Sequence, residues 1–233
     1  MAGKSRIGSA AGEYVAAKAV QCTGLSPATR RNGLLCRADG SIVRFIREAE
    51  RPRMPLPSMK EQFAALIAAP SVSCTQASLD QTNRPVIDLL ASWLGDLGFS
   101  IDIQPVSPGK FNLLASFGTG PGGLVLAGHS DTVPYDAALW KTDPLKLTEV
   151  DGRWVGLGSC DMKGFFALAI EAVLPLLDQP FKQPLLILAT CDEESSMSGA
   201  RALAQAGQPL GRAAVIGEPT GLKPIRLHKG IMM

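Results

Sequence analysis

Residues 124–134 read Leu-Val-Leu-Ala-Gly-His-Ser-Asp-Thr-Val-Pro and join an apolar run to a polar one. The apolar part, 124–127, is bounded by glycines, which predicts a strand buried on both faces of a sheet. His129, Ser130 and Asp131 follow it directly. Because ligands bind outside the carboxyl ends of strands in open α/β sheets, this junction indicates a binding site at the edge of a sheet.

The sequence on both sides of this junction alternates between helical and strand patterns. Ser58 and Glu61 have the spacing of a capping box and predict the start of a helix. A longer helix is expected over about 79–97, ended by Gly98. Further helices are predicted over 164–177 and 198–206, and strands over 99–104, 112–117, 124–127, 184–190 and 213–217. This order predicts an α/β fold with a largely parallel sheet and helices on both faces.

Residues 1–53 differ from the rest in charge and in pattern. They hold ten Lys or Arg against four acids, whereas the remainder holds 13 basic and 17 acidic residues. No sustained helical or strand period occurs before Met54. Two interpretations stay open: a flexible, transit-like basic leader, or a start assigned too far upstream of a true start at Met54 or Met59. The second is preferred, because the regular pattern begins only there.

Overall composition argues against several functional classes. The formal net charge of +2 favours neither nucleic acid nor an anionic membrane as a partner. The five cysteines are odd in number and lack Cys-x-x-Cys spacing, which argues against a disulfide framework or a structural zinc knuckle. No apolar run is long enough to span a bilayer. The sequence therefore predicts a cytoplasmic protein with reduced cysteines.

Four polar clusters follow predicted strands or lie in glycine-rich loops. Their candidate site residues are one imidazole and five carboxylates: His129, Asp131, Asp161, Glu193, Glu194 and Glu218. Parallel strands would bring these clusters to one edge, where so many carboxylates would repel one another. One or two divalent cations would offset that charge, and imidazole with carboxylates suits zinc or a similar transition metal.

Spacing within two of the clusters fits this chemistry. Side chains two apart on an extended segment point the same way, so Asp131 is expected to accept the second ring N–H of His129. Glu193 and Glu194 point in different directions, so one can bind metal while the other acts as general base. Each motif alone also fits a plain structural role; Asp161, for example, has the position of a helix N-cap. Their joint occurrence at strand ends favours the metal site.

Four motifs resemble the dinuclear zinc aminoacylase and carboxypeptidase superfamily in residues, order and interval. They are Gly-His-Ser-Asp-Thr-Val-Pro (128–134), Gly-Leu-Gly-Ser-Cys-Asp-Met-Lys-Gly (156–164), Thr-Cys-Asp-Glu-Glu (190–194) and Gly-Glu-Pro-Thr (217–220). Within it, the stretches 66–73, 110–116 and 227–230 most resemble the acetylornithine deacetylase family. The similarity covers about 54–230, which would make 54–233 the N-terminal part of a hydrolase catalytic domain.

The resemblance implies two Zn²⁺ (or Co²⁺) ions and four metal ligands. His129 and Glu218 would bind the first ion, Asp161 would bridge both, and Glu194 would bind the second. It also implies two catalytic residues, Asp131 orienting the histidine and Glu193 acting as general base. The implied partners are small N-acyl amino acids, and full-length relatives would form homodimers.

The sequence departs from the superfamily pattern after the Gly-Glu-Pro motif. Members have a later ligand histidine and an inserted lid or dimerisation domain, but the chain stops at Met233. The resemblance therefore implies an incomplete catalytic domain in which the second metal lacks one protein ligand. His228 is the only other histidine and lies outside the ligand motif, so a structural role is predicted for it.

Three functions are compatible with these observations. The first is removal of the acetyl group from N-acetylornithine, giving ornithine and acetate for arginine biosynthesis, with little activity expected from a truncated chain. The second is a related deacylation, of succinyl-diaminopimelate or acetylcitrulline, or cleavage of a dipeptide. The third is a non-catalytic metal-binding fragment, which the presence of Glu193 disfavours because a metal store needs no general base.

Overall fold

The computed structural model describes residues 34–36, 42–44, 56–207 and 210–226. The chain divides into two compact units, Met1–Pro52 and Arg53–Met233, which are described separately. In the first unit, strands β1 (Leu34–Cys36) and β2 (Ile42–Arg44) pair antiparallel within the segment predicted to be irregular. The rest of the predicted leader lies outside the described residues, as does His228.

The second unit is built on a five-stranded sheet in the order β3-β4-β8-β5-β9. Its strands are β3 (Ser100–Ser107), β4 (Lys110–Phe117), β5 (Leu124–His129), β8 (Leu185–Thr190) and β9 (Ala213–Ile216). The predicted α/β fold is confirmed, but the sheet is mixed rather than largely parallel. β8, β5 and β9 pair in parallel, whereas β3 with β4 and β4 with β8 pair antiparallel. The short turn at Pro108 and Gly109 explains the difference, because only antiparallel neighbours can be joined so tightly.

In the described part of the chain, four α-helices accompany the sheet: α1 (Met59–Ala68), α2 (Arg84–Asp96), α3 (Gly164–Val173) and α4 (Ser198–Ala206). The Ser58–Glu61 capping box of α1 is present as predicted. α2 begins at Arg84 instead of residue 79, with Pro85 in its first turn. α3 ends at Val173 and gives way to a 3₁₀ turn, Leu174–Leu176, that contains Pro175. The described residues contain no helix long and apolar enough to cross a membrane.

Helices cover both faces of the sheet, as the sequence predicts. Leu113 of β4 is fully buried in the core that α1, α2 and α3 form on one face. The next residue towards the N-terminus, Asn112, points to the opposite face and donates to the carbonyl of Gly199 in α4 at 3.0 Å. Since successive side chains of a strand point to opposite faces, α4 lies across the sheet from α2.

A small hairpin between β5 and α3 was not foreseen. Strands β6 (Thr148–Val150) and β7 (Arg153–Val155) pair antiparallel. Asp151 and Gly152 between them both have positive φ, 50° and 70°. An Asp-Gly pair between two short β-type runs is a strong hairpin indication, so the sequence did contain the information.

The site is set by where β5, β8 and β9 end. His129 at the end of β5 pairs with Thr190 at the end of β8, and β9 runs parallel on the other side of β5. Gly128 lets α3 approach this edge closely, because a Cβ there would lie 3.1 Å from Cζ of Phe166 and 3.2 Å from Cδ1 of Phe165. The loops that follow the three strands therefore converge beside the N-terminus of α3.

Candidate metal centre

The six residues predicted from the sequence lie together at this edge. The ring nitrogen Nε2 of His129 is 3.1 Å from Oδ1 of Asp161, which precedes α3. It is 3.8 Å from Oε2 of Glu193 after β8, and 3.9 Å from Oε1 of Glu218 after β9. Segments separated by tens of residues thus bring their carboxylates to one imidazole.

Within the part of the chain that the structure describes, two overlapping groups have the spacing to hold a metal ion. One consists of His129, Asp161 and Glu194, the other of His129, Glu193 and Glu218, with ligand atoms within 4.8 Å of one another in each. The predicted roles group these residues differently, because they reserve Glu193 for proton transfer and place Glu218 and Asp161 together on the first ion. The geometry brings Glu193 and Glu218 within reach of the same metal ion. The assignment of Glu218 as ligand and Glu193 as general base is therefore taken up as a proposal below.

Burial differs sharply across the site. The side chain of His129 is only 1% exposed, whereas those of Glu193, Glu218 and Asp161 are 36%, 41% and 51% exposed. The imidazole is therefore held inside the protein, whereas the carboxylates are partly exposed to solvent.

Asp131 acts differently from the prediction. Nδ1 of His129 is 3.0 Å from the backbone carbonyl oxygen of Asp131 but 3.7 Å from its carboxylate oxygen Oδ1. The backbone carbonyl, rather than the side chain, is thus the partner that fixes the ring. Oδ2 of Asp131 accepts a hydrogen bond of 3.1 Å from the backbone N–H of Glu194. The buried Oδ1 has no hydrogen-bond partner among the described residues.

The electrostatics of the site favour a bound cation. Burial opposes a charged His129, but Asp131, Glu193, Glu194 and Glu218 outweigh it and raise the histidine pKa. Burial, reinforced by the neighbouring carboxylates, raises the pKa of Glu194 to about 7. Burial also raises the pKa of Asp131. A divalent ion would offset this crowded negative charge, so the imidazole and carboxylates present fit a metal.

Buried polar residues hold the β5 end of the site in place. The hydroxyl of Ser130 donates to the carbonyl of Thr190 at 2.8 Å and accepts from the amide of Asn83 at 2.7 Å. Ser71 donates to the carbonyl of Ser130 at 2.8 Å. Asn83 also exchanges two hydrogen bonds with the backbone of Phe111, at the start of β4.

These supporting residues were missed by sequence reasoning. Asn83 is 47 residues away from Ser130 in the chain, and neither carries a motif that would link them. A buried polar side chain is recognised only once the fold shows which distant backbone groups it satisfies.

The fold and the site define the class of protein. Residues 125–229 match the model of peptidase family M20/M25/M40, and the chain belongs to this family of metal-dependent hydrolases. Its relatives include the acetylornithine deacetylase of Klebsiella pneumoniae (strain 342), 54% identical over 179 residues that cover 76% of this chain and 47% of the relative. The acetylornithine deacetylase of Pectobacterium carotovorum subsp. carotovorum (strain PC1) is 51% identical over 183 residues, 77% of this chain and 48% of the relative. The chain spans about half the length of the curated relatives it matches.

Solved structures of the same class share the fold. Human carnosine dipeptidase 1 superposes with a TM-score of 0.54 at 25% identity, covering 64% of this chain and 34% of that one. The M20 family metallo-carboxypeptidase Sso-CP2 from Sulfolobus solfataricus gives a TM-score of 0.55 at 17% identity, covering 69% of this chain and 37% of that one. The second likeness concerns the fold alone.

Proposed function

We propose that the chain is part of a metal-dependent amide hydrolase that removes the acetyl group from N-acetylornithine, giving ornithine and acetate. The observation that carries this proposal is the convergence of His129, Asp161, Glu193, Glu194 and Glu218 at one sheet edge. The names of the two reported relatives, both acetylornithine deacetylases, supply the substrate. A cytoplasmic place in arginine biosynthesis and assembly as a homodimer belong to the same proposal.

Zn²⁺ or Co²⁺ is the proposed cofactor, because one imidazole with several carboxylates is a ligand set these ions accept. His129, Asp161, Glu194 and Glu218 would hold two ions. When bound, such an ion polarises an amide carbonyl and lowers the pKa of a bound water. Asp131 contributes through its backbone carbonyl, which orients His129, and through its carboxylate, which orients the backbone of Glu194.

Glu193 is the proposed general base. Its side chain is 36% exposed, so a water and a substrate amide can both reach it. Glu193 takes a proton from the attacking water and delivers it to the leaving nitrogen. The carbon–nitrogen bond then breaks, and the products are acetate and the free amine.

The test is acetate release from N-acetylornithine by the natural gene product supplied with Zn²⁺ or Co²⁺. We expect a higher kcat/KM for this substrate than for N-acetylcitrulline, with little succinate release from N-succinyl-diaminopimelate. A preference for either of the others would replace the substrate but keep the reaction class. Tight metal binding without hydrolysis of any of them would contradict catalysis and favour a metal-binding role.

The variant Glu193→Gln distinguishes a role of Glu193 as general base from a role as metal ligand. As general base, Glu193 contributes roughly 100- to 10,000-fold to turnover, so E193Q is expected to lose that activity while Co²⁺ binds nearly as before. Glu171→Gln, an exposed glutamate on α3, is the matched control and should behave like the unmodified protein. Loss of Co²⁺ binding in E193Q would instead make Glu193 a ligand.

A further inference from the structure

A buried lysine reaches the turn that carries the paired glutamates. The side chain of Lys110, the first residue of β4, is only 7% exposed. Its ammonium nitrogen Nζ lies 2.7 Å from Oδ1 of Asp80 and 2.8 Å from Oδ1 of Asp192. Asp192 directly precedes Glu193 and Glu194, so the ion pair ties the start of β4 to the turn after β8.

Asp192 uses both of its carboxylate oxygens to hold this turn. Oδ1 accepts from the hydroxyl of Ser73 at 3.0 Å in addition to Lys110, and Oδ2 accepts from the hydroxyl of Ser198 at 2.8 Å. Its backbone carbonyl accepts from Met197 at 2.6 Å. Asp192 has φ of 55°, in the left-handed region that is uncommon for residues other than glycine but that aspartate tolerates better than most.

The same strand end fixes the residue before Asp192. The side-chain oxygen Oδ1 of Asn112 accepts from the backbone N–H of Cys191 at 3.1 Å. Its amide nitrogen donates to Gly199 on the far side of the turn. The start of β4 therefore contacts the turn at Cys191, at Asp192 and at Gly199 in α4. Glu193 and Glu194 lie between these contacts and are directed towards His129.

The ion pair also takes Asp192 out of the metal site. Asp192 is not a member of either potential metal-binding group of the described residues, and its oxygens are committed to Lys110, Ser73 and Ser198. Without Lys110, Asp192 would be a buried carboxylate without its cation beside two further carboxylates. That repulsion would be relieved only if Asp192 took up a proton or the turn moved, and either change would alter the contacts that hold Glu193 and Glu194.

We propose that Lys110 is a positioning residue, which through Asp192 holds Glu193 and Glu194 in the geometry that binds metal. The inference rests on the proposed metal-dependent function of this site. Lys110 contacts Asp80 and Asp192 rather than the residues that would bind metal, and it acts only through the turn. Outer partners that orient metal ligands contribute about 10- to 100-fold to metal affinity.

The experiment measures Co²⁺ affinity by calorimetry, and the visible absorption of bound Co²⁺, on the whole 233-residue chain. Lys110→Met and Asp192→Asn are each expected to weaken Co²⁺ binding about 10- to 100-fold and to alter the absorption spectrum. Lys110→Arg keeps the charge and should recover most of the affinity. These readouts do not depend on catalytic activity.

Two matched controls separate positioning from general stability. Lys60→Met makes the same chemical change in an exposed ion pair, Lys60 with Glu149 at 2.7 Å, and should leave Co²⁺ affinity unchanged. Asp80→Asn removes the other partner of Lys110 and should lower the melting temperature more than the Co²⁺ affinity. If Lys110→Met does not fold, the Co²⁺ affinities of Asp192→Asn and Asp80→Asn are compared instead. A larger loss in Asp192→Asn supports the positioning role, and equal losses contradict it.

The outcomes distinguish this inference from the function it rests on. Unchanged Co²⁺ affinity and absorption in both K110M and D192N, beside normal binding by the unmodified chain, would overturn the positioning role and leave the proposed function intact. Failure of the unmodified chain to bind Co²⁺ would contradict the metal-dependent function itself, and the positioning role with it.

Discussion

The β5 end of the metal site and its solvent-facing carboxylates are built in opposite ways. His129 is buried, and its neighbour Ser130 is held by hydrogen bonds from Asn83 and to Thr190. Asp161 and Glu218 are 51% and 41% exposed. The scaffold thus fixes the imidazole before any ion arrives, while the carboxylates of Asp161 and Glu218 face the solvent from which an ion would come.

The largest expected effect comes from removing the buried imidazole. His129 belongs to both potential metal-binding groups, so His129→Ala should weaken Co²⁺ binding by more than roughly 100-fold, beyond the loss of an outer partner. Calorimetric titration measures this. His228→Ala, at the only other histidine of the chain, is the control and should bind as the unmodified protein does. Equal losses in the two variants would contradict the assignment of His129.

A smaller effect is expected from replacing Asn83, which hydrogen-bonds Ser130, the residue that follows His129. Asn83→Ala leaves the backbone of Phe111 and the hydroxyl of Ser130 without their buried partner. Each unsatisfied buried group costs about 1–3 kcal/mol, so the free energy of unfolding should fall by at least that much. Urea unfolding measures it. Gln76→Ala removes an exposed amide and should change the free energy of unfolding by less than about 0.5 kcal/mol. Similar losses in the two variants would contradict the stabilising role of the Asn83 hydrogen bonds.

The smallest effect concerns pH and sharpens the contrast between metal-free and metal-bound states. Glu194 has its pKa raised from 4.5 to about 7 in the metal-free fold. The folded state therefore binds more protons than the unfolded state between these values, and stability falls as the pH rises through that window. His129, whose pKa is also raised, acts in the same direction.

Thermal unfolding of the metal-free chain between about pH 4.5 and 7 tests this expectation. The melting temperature should decline towards pH 7, and Glu194→Gln should flatten the decline. Added Zn²⁺ should reverse it, because an ion favours the deprotonated ligands. Stability that rises across the same interval in the metal-free chain would contradict the proposed coupling.

From the sequence, the residues that lie together at the site were easier to predict than the hydrogen bonds that hold them in place. His129, Glu193 and Glu218 lie close together, as expected, because each ends or follows a strand of the parallel part of the sheet, and parallel strands end at the same edge. The side-chain bond from Asp131 to His129 was wrong, because spacing of two residues fixes a direction but not a distance. The structure gives that contact to the backbone carbonyl instead.

The fold shows a similar division between local and distant information. The capping box at Ser58 and the end of α2 at Gly98 depend on neighbouring residues and were predicted well. Lys110 and Asp192 become partners only when β4 pairs with β8. The antiparallel pairing of β4 was likewise missed, since the alternation of helices and strands does not specify which strands become neighbours.

Strand β9 has a consequence for anyone who handles the protein in solution. Its four residues are exposed, and among the described strands it pairs only with β5. Val215 and Ile216 place apolar side chains on the same edge, 50% and 63% exposed. An exposed apolar strand edge is a template for pairing with other chains. Self-association at high concentration would thus begin next to Glu218, and dilution would be the first remedy for a preparation that loses metal affinity.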